Sequence, residues 1–102
     1  MLDIANLHHH ETGVRVAKVL PFENHYIVLL DCDEAAQAQL WDSLRCLGPE
    51  GDLVWAASTP SSSDVFTDVM WNEGRLVALT WECFMITLDP NTGRILEQVF
   101  TK

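Results

Sequence analysis

Residues 65–100 read VFTDVMWNEGRLVALTWECFMITLDPNTGRILEQVF, and this stretch decides the fold. Its four short apolar runs, separated by turn-forming residues, predict an antiparallel β-meander. The breaks fall at Asn72-Glu73-Gly74, at Glu82-Cys83 and at residues 89–93. The strands predicted from this pattern are Val65–Trp71, Arg75–Trp81, Phe84–Leu88 and Arg94–Phe100.

The turn at residues 89–93 has the most specific local chemistry. Asp89 can accept hydrogen bonds from the backbone two residues on, and Pro90 fixes its own φ near −65°. Gly93 supplies the left-handed residue with which such a turn rejoins the ladder of strand hydrogen bonds. Apolar residues flank the turn on both sides, so we expect a β-hairpin here.

The first half of the chain predicts a second set of strands. Val14–Leu20 is a strand candidate that Pro21 closes, and Tyr26–Leu30 is a second candidate after a short turn. Residues 33–42 hold strong helix formers, which locally favour a helix. Against a long helix, the residues that follow repeat the strand, proline–glycine turn, strand order of the C-terminal hairpin. We therefore expect a loop or one helical turn at 33–42, and a strand at 43–47.

The two halves of the chain resemble each other. The segment Thr59–Ser63 is a flexible connector by composition, and it separates one repeat at about 14–58 from another at about 64–101. A period of roughly forty to fifty residues falls in the range of propeller blades. The prediction is a single all-β domain over residues 1–102, an antiparallel meander of seven to eight strands in two blade-like repeats.

Two segments resemble blades of quinoprotein-like (PQQ-type) β-propellers, namely Ser43–Trp55 and Met85–Leu96. The whole chain, over about residues 14–100, also resembles short uncharacterised bacterial proteins with this two-repeat layout. Two blades cannot close a ring that typically has four to eight. The resemblance therefore implies a fold, and it implies neither a quinone cofactor nor a catalytic residue. Open edges or an apolar face should remain, which favours self-association, for example as a symmetric homodimer.

Composition limits the partners of this chain. Its 102 residues, 48% apolar and 21% charged, suffice for one folded domain with a modest core. Lys and Arg number 6 against 15 Asp and Glu, so the formal net charge is −9. Such a surface repels phosphate backbones and anionic lipids, which argues against nucleic acid and membrane partners. The acidity suits a basic protein partner, or it serves solubility.

The cysteines and the N-terminus favour a cytoplasmic location. The odd number of cysteines, Cys32, Cys46 and Cys83, and their position in or beside apolar runs fit reduced thiols rather than a disulfide framework. The N-terminal residues lack the basic and apolar regions of a signal peptide. No apolar run approaches the roughly 18 residues of a membrane span.

Motifs for catalysis or cofactor binding are not visible. The sequence contains no phosphate-binding glycine loop, no nucleophile elbow and no Cys-x-x-Cys pair, so we expect no cofactor and favour a protein that is not an enzyme. His8 and His10 would share a face if residues 8–10 were extended, which makes them weak candidates for metal binding. Two imidazoles without a third fixed ligand seldom form a specific site, so no metal site is expected.

Four tryptophans, Trp41, Trp55, Trp71 and Trp81, allow two interpretations. They fill the core of a thin meander, or they form binding hot spots, where tryptophan is enriched. Under the second interpretation the candidate binding residues for a basic partner are Trp71, Glu73, Trp81 and Glu82.

The sequence leaves two function classes open. The first is a small acidic protein-interaction module, comparable to an immunity or adaptor protein that masks a basic surface. The alternative is a small-molecule binding or enzymatic domain with a pocket at the open end of the meander.

Overall fold

The computed structural model describes residues 3–101, and within them the chain forms two helices and eight strands. The elements in chain order are α1 (Ile4–Thr12), β1 (Val16–Phe22), β2 (His25–Leu30), α2 (Cys32–Gln37), β3 (Leu44–Leu47), β4 (Leu53–Ala57), β5 (Phe66–Asn72), β6 (Arg75–Thr80), β7 (Phe84–Leu88) and β8 (Ile95–Phe100). Strands β1–β4 form one antiparallel meander, here sheet A, and β5–β8 form a second, here sheet B. The expected all-β meander is confirmed.

The C-terminal hairpin follows its turn chemistry. The Asp89 side chain accepts the backbone N–H of Asn91 at 2.9 Å, and its carbonyl accepts the N–H of Gly93 at 2.7 Å. Gly93 has φ 76°, the left-handed conformation that glycine adopts without steric cost. All four strands predicted for residues 65–100 begin and end within one residue of the observed strands.

Pro21 does not end β1, in contrast to the prediction. The strand continues to Phe22, and Pro21 lies opposite Tyr26 in the pairing with β2. A proline is tolerated here because β1 is the edge strand of sheet A, where one side of the backbone needs no ladder partner. The predicted helical turn after β2 is confirmed as the short helix α2, which the Asp31 side chain caps.

Helix α1 was not predicted from the sequence. The Asp3 side chain accepts the N–H of Asn6 at 3.2 Å, and Gly13 ends the helix in a left-handed conformation. The extended conformation considered for His8 and His10 is therefore wrong. Residues two apart on a helix point in different directions, and accordingly His8 is buried whereas His10 is exposed. These two imidazoles do not share a face.

The two sheets share one pattern of strand pairing. In sheet A the β1–β2 register shifts between Val16 and Lys18, and in sheet B the β5–β6 register shifts fifty residues later, between Phe66 and Asp68. The outer pairs β3–β4 and β7–β8 each carry a shift as well, next to Leu47 and Leu88 respectively. Each residue of sheet A therefore has a counterpart in sheet B.

The main core lies between the sheets, and the two sheets contribute opposite faces to it. Sheet A contributes Ile27 and Leu29, whereas sheet B contributes Leu76 and Ala78. The counterpart of Ile27 is Val77, which lies between the two core residues of β6 and so points away from sheet A. The sheets thus stack head to tail. A two-fold sandwich would bury the same face of both.

A second, smaller core covers the outer face of sheet A. Helix α1 contributes Ile4, and helix α2 contributes Ala35. They pack with apolar residues of the segment before β1, of β2 and of β3, namely Val14, Val28, Leu30 and Leu47. One end of the stack is therefore closed by helices. Within residues 3–101, no helix is long and apolar enough to cross a membrane.

Candidate functional site

The four predicted binding residues do not form one patch. Trp71 lies opposite Leu76 near the β5–β6 turn, and Trp81 follows the far end of β6. Five residues of extended strand separate these positions, a distance of roughly 17 Å. The pair Trp71 and Glu73 is thus at one end of sheet B, and the pair Trp81 and Glu82 is at the other.

Trp71 contributes to packing between the sheets. Its indole N–H donates to the carbonyl of Pro21 in sheet A at 3.0 Å. Its ring lies 5.7 Å from the ring of Phe22 and packs against the shared core. Glu73 occupies the turn with φ 52° and is exposed. At this end of sheet B the tryptophan is therefore engaged by the fold itself.

Trp81 is the most exposed of the large apolar side chains at 74%. Its backbone N–H donates to the carbonyl of Val65 at 3.0 Å, which fixes the residue while its ring stays outside the core. Two hydrogen bonds hold the neighbouring Glu82, one through its backbone and one through its side chain. Its backbone N–H donates to the Asp64 carboxylate at 2.9 Å, and its own carboxylate accepts the hydroxyl of Ser63 at 2.7 Å.

Phe100 extends this surface, although it was not among the binding residues predicted from the sequence. Its side chain is 57% exposed, and its ring lies 5.4 Å from that of Phe84 at the start of β7. Next to it, Thr101 donates both its N–H and its hydroxyl to the carbonyl of Cys83, at 2.8 Å and 2.7 Å. The last strand of a meander is an edge strand, and this was the available sequence signal. We name Trp81, Glu82, Phe84 and Phe100 the aromatic end of sheet B.

Half of the basic side chains form ion pairs within the fold. Ion pairs join Arg15 to Asp31 at 2.6 Å, Lys18 to Asp68 at 3.0 Å and Arg45 to Asp42 at 3.0 Å. The Arg15 guanidinium holds the pKa of Asp31 below its ordinary value, and the Lys18 ammonium does the same for the pKa of Asp68. Three of the 6 Lys and Arg residues are thus neutralised locally, and most of the 15 carboxylates have no such partner among residues 3–101.

A surface depression lies beside α1. It has a volume of about 560 Å³ and is lined by Asn6, Leu7, His9, His10 and Gly13. A smaller depression of about 260 Å³ adjoins it, and its lining includes Arg15. Across the described part of the chain, no group of three or more His, Cys, Asp or Glu side chains could hold a metal ion.

The buried Cys46 offers little nucleophilic chemistry. All three cysteines are free thiols. Burial raises the pKa of Cys46 to about 11, so this residue stays protonated at neutral pH and is a poor nucleophile.

Comparison with known proteins assigns the family. Residues 5–100 match the family described as "Domain of unknown function (DUF7957)", and the chain belongs to it. A search of curated proteins found no match. Among solved structures, the chain is similar to the crystal structure of the computationally designed Ika8 protein, with a TM-score of 0.60 and 11% sequence identity. The match covers 86% of this chain and 24% of that chain, and at this identity it concerns the fold alone.

Proposed function

We propose that this protein is a non-enzymatic interaction module that binds a basic protein partner through the aromatic end of sheet B. The observation that supports this most directly is the pairing of a 74% exposed Trp81 with a hydrogen-bonded Glu82. An immunity- or adaptor-like role, in which the module masks a cationic surface, fits this chemistry. Three free thiols fit action in the cytoplasm.

The chemistry of the aromatic end matches a lysine or arginine side chain. An indole face attracts a cation, and the effect grows when the contact excludes water. The Glu82 carboxylate is already oriented by Ser63, so little side-chain entropy is lost when it accepts a charged hydrogen bond. The net charge of −9 would steer a basic partner towards the module over a longer range.

Capture and mutation together test this function. The module is used to retain proteins from a lysate of the source organism, and the partner is identified by mass spectrometry and purified. Isothermal titration calorimetry then compares the affinities of the wild type, Trp81→Ala and Glu82→Gln for this partner. Because hot-spot tryptophans often contribute 2 kcal/mol or more, we expect Trp81→Ala to weaken binding by about thirtyfold.

The matched control is Trp41→Ala, which removes a 42% exposed tryptophan in the segment between α2 and β3. We expect this variant to bind like the wild type. High salt should weaken the wild-type complex, because attraction between opposite charges is screened. Equal affinity of the wild type and Trp81→Ala for the purified partner would exclude the aromatic end as the binding surface.

A second candidate function is small-molecule binding at the depression beside α1. Its volume of about 560 Å³ lies in the range of ligand sites, and it presents two imidazoles and the Asn6 amide. This site is on the helical side of sheet A, whereas the pocket predicted from the sequence was at the open end of the meander. A thermal-shift screen of small polar ligands tests it, with His9→Ala as the variant that should abolish any shift.

A further inference from the structure

One face of sheet B is not covered by the rest of the described chain. We name it the open face, and it consists of the side chains that alternate with the core residues of β5–β8. Neither apolar cluster of the core includes these side chains. The apolar members are Met70, Val77, Leu79, Met85 and Val99, with Thr87 between them. Val99 is exposed and Met70, Leu79 and Met85 are half-buried, whereas the central Val77 and Thr87 are already 4% and 9% exposed in the single chain.

Most counterparts of the open face in sheet A are buried between the sheets. By strand register, Val77 and Leu79 correspond to Ile27 and Leu29. On the outer strands, Met85 and Val99 correspond to a pair in β3 and β4, Leu44 and Ala57. All four residues of sheet A lie in the core against sheet B. In sheet A, the residues at these positions pack against a neighbouring sheet, which is sheet B. In sheet B, the residues at the same positions have no neighbouring sheet within the described chain.

We propose that a second copy of this chain covers the open face, open face against open face, in a two-fold symmetric dimer. The closed end of the stack determines this arrangement. Head-to-tail growth would require the outer face of sheet A, where α1 and its residue Ile4 already pack. Among the sheet faces that the structure describes, the open face of sheet B is the uncovered one. Two copies can therefore meet through the same face, and such a contact closes after two subunits.

The charge of the open face also favours a second copy over a basic partner. Cross-strand pairing places Glu97 beside Thr87 and Asp68 beside Leu79 on this face. Asp68 is neutralised locally by Lys18 at 3.0 Å, so Glu97 is the remaining carboxylate among these cross-strand pairs. The same alternation places Arg75 of β6, opposite Asn72, on this face, so one guanidinium and one carboxylate remain there and offset each other in sign. An apolar surface with so little net charge is matched best by another apolar surface.

Salt separates this dimer from the proposed complex with a basic protein. Each copy carries a formal charge of −9, so two copies repel each other at low ionic strength. Screening of this repulsion should strengthen the dimer by severalfold when sodium chloride rises from about 20 mM to about 300 mM. The same increase should weaken a complex of opposite charges. The two proposals can thus fail independently.

Analytical ultracentrifugation of wild-type protein and two matched valine variants tests the dimer. Val99 in the open face is 40% exposed, and Val54 on β4 of sheet A is 45% exposed. Val99→Glu and Val54→Glu change the net charge equally, so they differ in the face that receives the carboxylate. We expect a wild-type species of twice the 11.5 kDa chain mass. Val99→Glu should weaken dimerisation at least tenfold, because it adds charge beside Glu97, and Val54→Glu should not.

A second variant distinguishes dimerisation through the open face from pairing along the edge strand of sheet B. Val99 lies on the edge strand β8, whereas Leu79 lies on the interior strand β6. Leu79→Glu should also produce monomers, and circular dichroism should show that both variants remain folded. The proposal is wrong if the wild type is a monomer at about 0.5 mM in high salt, a concentration that would populate even a weak complex. It is also wrong if folded Leu79→Glu still dimerises, or if assembly continues beyond two subunits.

Discussion

At the scale of single residues, two indole N–H groups join the sheets across the core. Trp71 of sheet B donates to the carbonyl of Pro21 in sheet A, and Trp55 of sheet A donates to the carbonyl of Pro90 in sheet B at 2.8 Å. A proline carbonyl keeps its acceptor capacity although the residue has no N–H. In each contact a large apolar ring packs in or against the core and its one polar group is satisfied: Trp55 is buried and Trp71 is half-buried.

The ring of Trp55 also leaves no room for a side chain at Gly93. A Cβ at Gly93 would overlap the indole ring of Trp55, and the left-handed φ of 76° adds a backbone penalty. We expect Gly93→Ala to lower the free energy of unfolding by about 2–4 kcal/mol, which combines strain and overpacking. Urea denaturation measures this change.

Gly74 is the matched control for that substitution. It has nearly the same φ, 78°, but no atom lies within 4 Å of the position that its Cβ would take. Gly74→Ala should therefore cost about 1–2 kcal/mol from the backbone alone. Equal losses in the two variants would mean that the Trp55 ring moves aside at no cost.

The roles of the tryptophans could not be predicted from their local sequence. Trp71 and Trp81 each follow an apolar strand run and precede a glutamate within two residues. Their fates differ because sheet A covers the turn end of β5, where Phe22 meets Trp71, and leaves the other end of the hairpin uncovered. Trp81 and Glu82 are consecutive in the sequence, whereas the position of Phe100 near them follows from the pairing of β7 with β8.

At the scale of elements, the predictable parts are those with local turn chemistry. The residues Asp89, Pro90 and Gly93 define their hairpin without help from the rest of the chain. Helix α1 is different, since it is 9 residues long and short isolated helices are marginal in water. Its signals were the capping residues Asp3 and Gly13, and its stability depends on packing against sheet A.

Helix α1 should respond to pH through His8. This side chain is 3% exposed, and neither ring nitrogen has a hydrogen-bond partner among the described residues. Burial, and then the charge of Arg45 on β3, lower the pKa of His8 below 6.5, although Glu11 at 3.6 Å acts in the opposite sense. The folded state therefore binds this proton less readily than the unfolded state. The associated stability is complete above pH 6.5 and is lost as the pH falls towards the lowered pKa.

Two methionine variants test this dependence. We expect the free energy of unfolding of the wild type to fall between about pH 7 and pH 5 because of His8, in addition to any change from other groups. His8→Met should reduce this fall, since the buried site no longer titrates. His10→Met, at an exposed position of the same helix, should retain it. An identical pH dependence in both variants would show that another group is responsible.

At the scale of the whole molecule, sheet B depends on sheet A more than the reverse. Every clustered apolar side chain of sheet B belongs to the core between the sheets. Sheet A has a second cluster with α1 and α2 on its outer face. The head-to-tail stack thus has one closed and one open end, a property of the assembled sheets that the pattern of either repeat alone does not contain.

This dependence predicts that the two sheets unfold together. Tryptophan fluorescence reports on the contact between the sheets through Trp55 and Trp71, and far-UV circular dichroism reports on all strands. The two urea transitions should coincide, as in two-state unfolding.

The variant Leu76→Ala, at a fully buried position of β6, tests this cooperativity and should shift both transitions together by about 2–5 kcal/mol. Leu96→Ala, at a position that is 60% exposed on β8, should change stability by less than about 0.5 kcal/mol. If Leu76→Ala shifts the fluorescence transition and leaves part of the dichroism transition in place, sheet A is stable by itself and the sheets are not one cooperative unit.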